Sequence, residues 1–361
     1  LIRQEVPIML GASLLLLAAA SHFQSFAQAS SSEAPSRSPL WAKTFATLEQ
    51  AQLADPANAY DFAHYLMVPM QRVFETGDLI GQKLFDGLVS NLSEPSYEKL
   101  NLLSRIQLDY FVSEFLVLKS SKGKLDAADT ALLKRQWDKF ERYWTSEPFK
   151  HWVPKPFAGV RGRLVGILAQ ARKTPGQSYL GAATDFELFG LAIAANLKVV
   201  GRNAGIDPPE NLAELASETG RLTSNLVQRR GEFLGDGWLF QRGYWRDHKD
   251  FLYAGHDSLA PDLKPAPVEN VAQDSSHSIR WALWIRSFYR AAGNKQDKAL
   301  YKKVAIALSA QYRSKVIRQT HEGLTMKNYM DGQDGVYRYK YSTIGSNALN
   351  GYGPGALSGS L

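Results

Sequence analysis

The sequence predicts an all-α protein, and three observations carry that expectation. Apolar residues recur at helical spacing along most of the chain from Pro39 onward. Alternating strand-like runs are nearly missing, Val336–Tyr341 being the one clear stretch. Short Gly/Pro punctuation separates the helical segments. About ten helices of roughly twelve to twenty residues, joined by short loops, fit an array of helix pairs curled into a toroid, an incomplete helix-pair barrel. A solenoid would repeat at a fixed period of about 34–40 residues, and the sequence has no such repeat. The same pattern excludes doubly wound α/β folds and β-sandwiches.

Taken in order, residues 1–29 read as a secretory signal. Arg3 precedes an apolar run from Pro7 to Ala20, and Ala27-Gln28-Ala29 supplies small residues at a cleavage site. The run falls short of the roughly 20 residues a membrane span needs. Cleavage after Ala29 removes Arg3 together with Glu5 and leaves the net charge at +7. The expected location is the periplasm or the exterior, with no stable membrane anchor. Residues 30–38 are a Ser/Pro-rich linker, and 39–361 form a single toroid domain. Its stripes begin with Phe45 and Leu48 and continue through Phe62, Tyr65, Leu66, Pro69 and Val73. They resume at 100–118, 132–144, 164–171, 186–199, 212–227, 279–292 and 300–317. Breaks fall at Glu94-Pro95, Lys122-Gly123, Pro154 and Pro156, Thr174-Pro175-Gly176 and Gly293-Asn294. Asp207 before Pro208 predicts a helix opening.

Composition narrows the function classes. With 45% hydrophobic and 11% aromatic residues the chain is not intrinsically disordered. The absence of cysteine excludes disulfides, thiolate metal sites and a cysteine nucleophile. Excess positive charge favours acidic partners as a class. Gly-x-Ser-x-Gly does not occur, and the Gly-rich stretches lack the context of a phosphate loop. Asp247-His248 and His256-Asp257 lack metal-ligand spacing, so no metal or cofactor is expected. Lys134, Arg135, Lys139 and Arg142 form a solvated basic helix face rather than a nucleic-acid surface. The sequence sets no oligomeric state.

About forty residues between Gly231 and Asp274 have no clear helix, and such a loop in a compact domain is usually functional. Phe233, Trp238, Phe240, Tyr244, Trp245, Phe251 and Tyr253 argue that it is held against the fold. Asp274 or Ser275 can cap the helix that follows. On that helix His277, Arg280, Trp281 and Trp284 share one face. Three of the seven histidines, His248, His256 and His277, gather in this region. Trp238, Trp245, Trp281, Trp284, Arg246, Asp274 and Tyr341 are the candidate substrate-binding residues, because aromatic faces cover sugar rings while a few polar groups fix orientation. Tyr337, Tyr339 and Tyr352 are candidates to line the same cavity, and His64, four residues after Tyr60, is a further candidate cavity group with a structural role as its simpler reading.

The segments Tyr244-Trp245-Arg246-Asp247, Tyr253-Ala254-Gly255-His256 and Asp274-Ser275-Ser276-His277 resemble those of α/α-toroid carbohydrate enzymes, especially secreted lyases of uronate polysaccharides such as alginate and glucuronan. The resemblance implies β-elimination at a uronic acid. There, cationic or hydrogen-bonding groups neutralise the carboxylate, a base removes the C5 proton, and an acid protonates the leaving oxygen. It gives His277 as base or neutraliser, Arg280 as neutraliser, Tyr253 or Tyr244 as the base and acid, and His256 as the alternate base. Two other readings stay open. Toroid glycosidases use paired carboxylates, for which Asp236, Asp247, Asp257 and Asp274 are candidates. An exported glycan-binding module would need the aromatic cleft alone.

Overall fold

A computed structural model describes residues 59–92, 94–123, 125–169, 176–320 and 323–339. The expected signal segment 1–29, the linker 30–38, Phe45, Leu48, Tyr341 and Tyr352 lie outside the described residues. The chain is mostly helical. Its helices are α1 (Ala59–Tyr65), α2 (Met67–Thr76), α3 (Leu79–Ser90), α4 (Glu94–Glu98), α5 (Leu102–Ser120), α6 (Ala127–Glu141), α7 (Gly159–Ala169), α8 (Asp185–Ala204), α9 (Glu210–Arg230), α10 (Ser275–Ser278), α11 (Trp281–Ala291) and α12 (Lys295–Gln311). Three small antiparallel pairs join them: β1 (Pro148–Phe149) with β2 (Phe157–Ala158), β3 (Gly231–Leu234) with β4 (Gly237–Phe240), and β5 (Ile317–Thr320) with β6 (Gly323–Met326).

Local chemistry sets the helix starts. Asn101 caps α5 by accepting from the Ser104 amide at 3.0 Å. Asp126 and Asp129 cap α6 reciprocally, and Asn294 caps α12 through the Asp297 amide at 2.7 Å. Gly205, in the left-handed region at φ 66°, ends α8. The opening expected at Asp207 comes later, at Glu210, because Pro208 and Pro209 hold the chain outside the helix and supply no side-chain cap.

α5 and α8 are buried on nearly every face and form the centre of the fold. The stretch Ser178–Ala204 is long and apolar enough to cross a membrane, but most of it is buried against other helices, as a core helix is. α5 packs on α1 and α8, and α8 packs on α11. The helix after each, α6, α9 or α12, lies against its predecessor. Rings make the contacts: Tyr110 meets Phe189 at 5.4 Å, Phe189 meets Trp284 at 5.2 Å, and Trp281 meets Trp238 at 4.9 Å. Full burial of each such side chain stabilises the fold by about 1.5–3 kcal/mol. α8 approaches the turn after α6 so closely that a Cβ on Gly190 would sit 2.6 Å from the Trp144 ring.

Of the strand expected at 336–341, the described residues 336–339 form none. Val336 and Arg338 instead donate their amides to His256 and Asp250 carbonyls in irregular backbone. The long loop is shorter than expected, since its first ten residues form the β3–β4 hairpin. The remainder is held down as its aromatics require. Phe251 packs on Tyr329 and Tyr337, and the Ser275 amide donates to the Asn328 carbonyl at 2.9 Å.

Candidate functional site

Three distant segments, α1, α5 and α8, converge around Arg280, which is buried where α10 passes into α11. One guanidinium nitrogen, Nη1, donates to Asp185 at the start of α8, and Nη2 donates to the Tyr60 hydroxyl on α1. Nε lies 3.4 Å from Nδ1 of His64, one turn along α1. Burial alone would favour loss of the Arg280 proton, but Asp185, Tyr60 and Asp274 outweigh it and hold the group above its ordinary pKa. The Gln107 side-chain amide reaches the same His64 Nδ1 at 3.1 Å. Two donors aimed at Nδ1 make it the acceptor and place the imidazole proton on Nε2. Burial first, then the charges of Arg280 and His277, push His64 well below its usual pKa, so it is neutral at pH 7.

Beside this group, Asp274 caps α10 through the His277 amide at 3.0 Å and lies 2.8 Å from His277 Nδ1. Burial would raise its pKa, but His277 and the hydrogen bonds win and keep the carboxyl well below the usual range. An ionised carboxylate at Nδ1 keeps a proton there and leaves Nε2 as the basic nitrogen. The His277 side chain is 26% exposed, against 4% for Asp274, so the imidazole reaches solvent while its partner does not.

An aromatic wall adjoins the centre. Trp152, in the turn between β1 and β2, has its indole 5.3 Å from Tyr179, 5.9 Å from Trp245 and 5.5 Å from His248. Burial lowers His151 to about 4, with Glu187 opposing and Arg163 assisting; Asp185 also acts on it. His248 is likewise lowered by burial against the pull of Asp250, and Asp274 acts on it. His151 packs on Phe186 at 5.1 Å, the residue after the Asp185 that Arg280 binds, so the wall meets the Arg280 centre at the start of α8.

Several expected site residues lie elsewhere. Trp238, Trp281 and Trp284 are 1%, 1% and 0% exposed and form the core between the β3–β4 hairpin, α8 and α11, so none offers a face to a sugar. Trp245 is largely buried and stacks on Phe251, buttressing Trp152. Arg246 is paired with Glu269 and Asp247. Tyr244 lies under the Arg230 guanidinium at 4.4 Å. Tyr253 packs on Tyr339 at 4.6 Å and His256 bonds the Lys264 carbonyl at 2.7 Å. Tyr253 and His256 also stack on each other, 6.4 Å apart by ring centroid. Of the proposed carboxylates, Asp236 and Asp257 are exposed, and Asp247 accepts the Ser178 amide at 3.0 Å. His277, Arg280 and Asp274 do come together. Tyr337 is core, packed on Phe251.

The partners that sequence alone does not reveal are Asp185, Gln107 and Trp152, and Tyr60 stands out there only through its spacing to His64. Trp152 carries one signal: it sits in a Pro-rich turn with no helical period to bury it. Among the described residues no group of three or more His, Asp and Glu side chains could hold a metal ion. A hollow of about 260 Å³ lined by Glu98, Arg135, Asp138, Lys139 and Arg142 lies on α4, α6 and the turn after it, elements that contribute nothing to the Arg280 centre. The fold and site thus define a mostly helical protein with a His–Asp dyad beside a buried Arg–Tyr–His cluster. No protein-family model, curated protein or solved structure matches the chain.

Proposed function

We propose that this protein is an exported lyase that cleaves a uronic-acid-containing polysaccharide by β-elimination. The observation that carries the reading is the convergence of the Asp274–His277 dyad with Tyr60, His64 and Arg280. His277 Nε2 is the base that takes the C5 proton. Tyr60 is the acid for the leaving glycosidic oxygen, and the Arg280 guanidinium stabilises negative charge developing on its phenolic oxygen. The His64 Nε2–H, with the remaining Arg280 N–H groups, serves the uronate carboxylate. Tyr60 thus takes the part the sequence offered to Tyr253 or Tyr244. A hydrolase needs a carboxylic acid that stays protonated, with a raised pKa. Asp274 is shifted the other way, so it cannot be that acid.

The order of contacts is compatible with a toroid: α1, α5, α8 and α11 touch one another in succession, and α6, α9 and α12 each pack on the helix before them. Export rests on the signal-like segment 1–29. The test incubates purified protein with alginate and glucuronan and follows the ultraviolet absorbance of the conjugated C4–C5 double bond. His277→Ala and Tyr60→Phe should each cut the rate by about 10²–10⁴-fold with the far-ultraviolet circular dichroism unchanged. Folded variants as active as the parent would sink the assignment.

A further inference from the structure

We infer that Trp152 is a sugar-binding subsite beside the Arg280 centre, stacking the apolar face of an acidic pyranose ring of the substrate chain. The subsite deepens the lyase reading and rests on it for the substrate class. Its basis is an exposed indole held where an exposed indole is costly. Trp152 is 38% exposed, whereas the other described tryptophans are buried. Its backbone is in the left-handed region at φ 57°, which bulky L-residues rarely adopt. Strain of that kind persists only where the surroundings over-determine it, and it clusters at ligand sites.

Those surroundings come from four segments. His151 lies 4.0 Å away by ring centroid. Tyr179, from the turn before α8, and Trp245, from the long loop, meet the indole edge-on. The Arg163 guanidinium of α7 sits 5.6 Å from the ring centroid. The Ser178 amide donates to Asp247 and ties the Tyr179 turn to the Trp245 loop, so the walls are fixed to each other as well as to the indole. A large aromatic ring immobilised before binding loses little entropy when it stacks. The flanking positions set the sign of the ligand. Lys150 and Lys155 bracket Trp152 in the chain, Lys249 follows His248, and all three are exposed. Exposed lysines on the segments that carry Trp152 and its neighbour His248 suit a ring that carries a carboxylate better than a neutral one.

The test titrates the protein with alginate-derived oligosaccharides and, separately, with neutral cello-oligosaccharides, reading affinity by calorimetry. The parent should bind the acidic oligosaccharide, and Trp152→Ala should lose about tenfold or more in affinity. Lys150→Gln/Lys155→Gln/Lys249→Gln should lose the preference for the acidic over the neutral chain. Because Trp152→Ala could perturb the turn, the parent is also treated with N-bromosuccinimide with and without oligosaccharide, and oxidation is mapped by peptide mass spectrometry. Protection confined to Trp152 supports the subsite without any mutation. Equal affinity of folded Trp152→Ala, no protection of Trp152, or no binding by the parent overturns it. Binding and protection without cleavage would remove the lyase reading and leave the subsite standing.

Discussion

Replacing Arg163 by methionine should unfold the start of α8, and with it the wall behind the site. Arg163 and Glu187 form an ion pair whose side chains are 2% and 0% exposed. Arg163 also donates to the Ala182 carbonyl at 2.8 Å. Glu187 accepts from the Thr184 amide at 2.6 Å and its hydroxyl at 2.7 Å, closing a capping box on α8. Arg163→Met leaves the Glu187 carboxylate buried without its counter-charge, at a cost of about 3–5 kcal/mol. The orphaned carbonyl adds about 1 kcal/mol at most. The double variant Arg163→Met/Glu187→Leu removes the stranded charge and should recover most of the loss, leaving about 1 kcal/mol for the broken cap. Urea unfolding followed by circular dichroism and tryptophan fluorescence measures both variants. A single variant within about 1 kcal/mol of the parent, or a double variant less stable than the single, would refute the claim that this pair is desolvated and anchors α8.

Two further outcomes follow from the same packing and charges. Gly190→Ala would put a Cβ 2.6 Å from the Trp144 ring, and thermal unfolding should show a loss of about 1–3 kcal/mol from overpacking. Acidification should destabilise the protein in two stages. His64 and His151 have folded pKa values below the unfolded value of about 6.5, so the unfolded state binds more protons and stability falls as pH drops from about 7 toward 4, by on the order of 1–3 kcal/mol for His151. Asp274, depressed by its partners, adds a contribution that is present above about pH 4 and lost as pH falls below it. Urea titrations across this range read the slope, and a flat profile between about pH 7 and 4 would contradict the buried neutral imidazoles.

The helices were legible because their stripes extend over many turns. α5, α8 and α9 lie within a few residues of the expected spans. The β3–β4 hairpin had a local signal in Gly235-Asp236, the two-residue turn between Leu234 and Gly237, but the surrounding aromatics made the segment read as one loop. Val336–Tyr341 alternated as a strand does, yet the loop carbonyls of His256 and Asp250 took its amides. In the site, Asp274, His277 and Arg280 could be grouped because they are neighbours in sequence. Tyr60 meets Arg280 across 220 residues of chain, a pairing that no local spacing encodes. Trp281 and Trp284 show the opposite limit: the spacing that puts them on one face is the same for a cleft and for a core, and only the packing of β4 and α8 over them decides it.

The most direct test of β-elimination is mass spectrometry of the products released from alginate and glucuronan by the purified parent protein. Elimination leaves an unsaturated uronate at each new non-reducing end, so every product that carries such an end is one water lighter than its hydrolytic counterpart and absorbs in the ultraviolet. Those dehydrated products are the expected result, and His277→Ala should abolish them. Products of full hydrated mass would place the chemistry on carboxylates instead and contradict His277 as the base and Tyr60 as the acid.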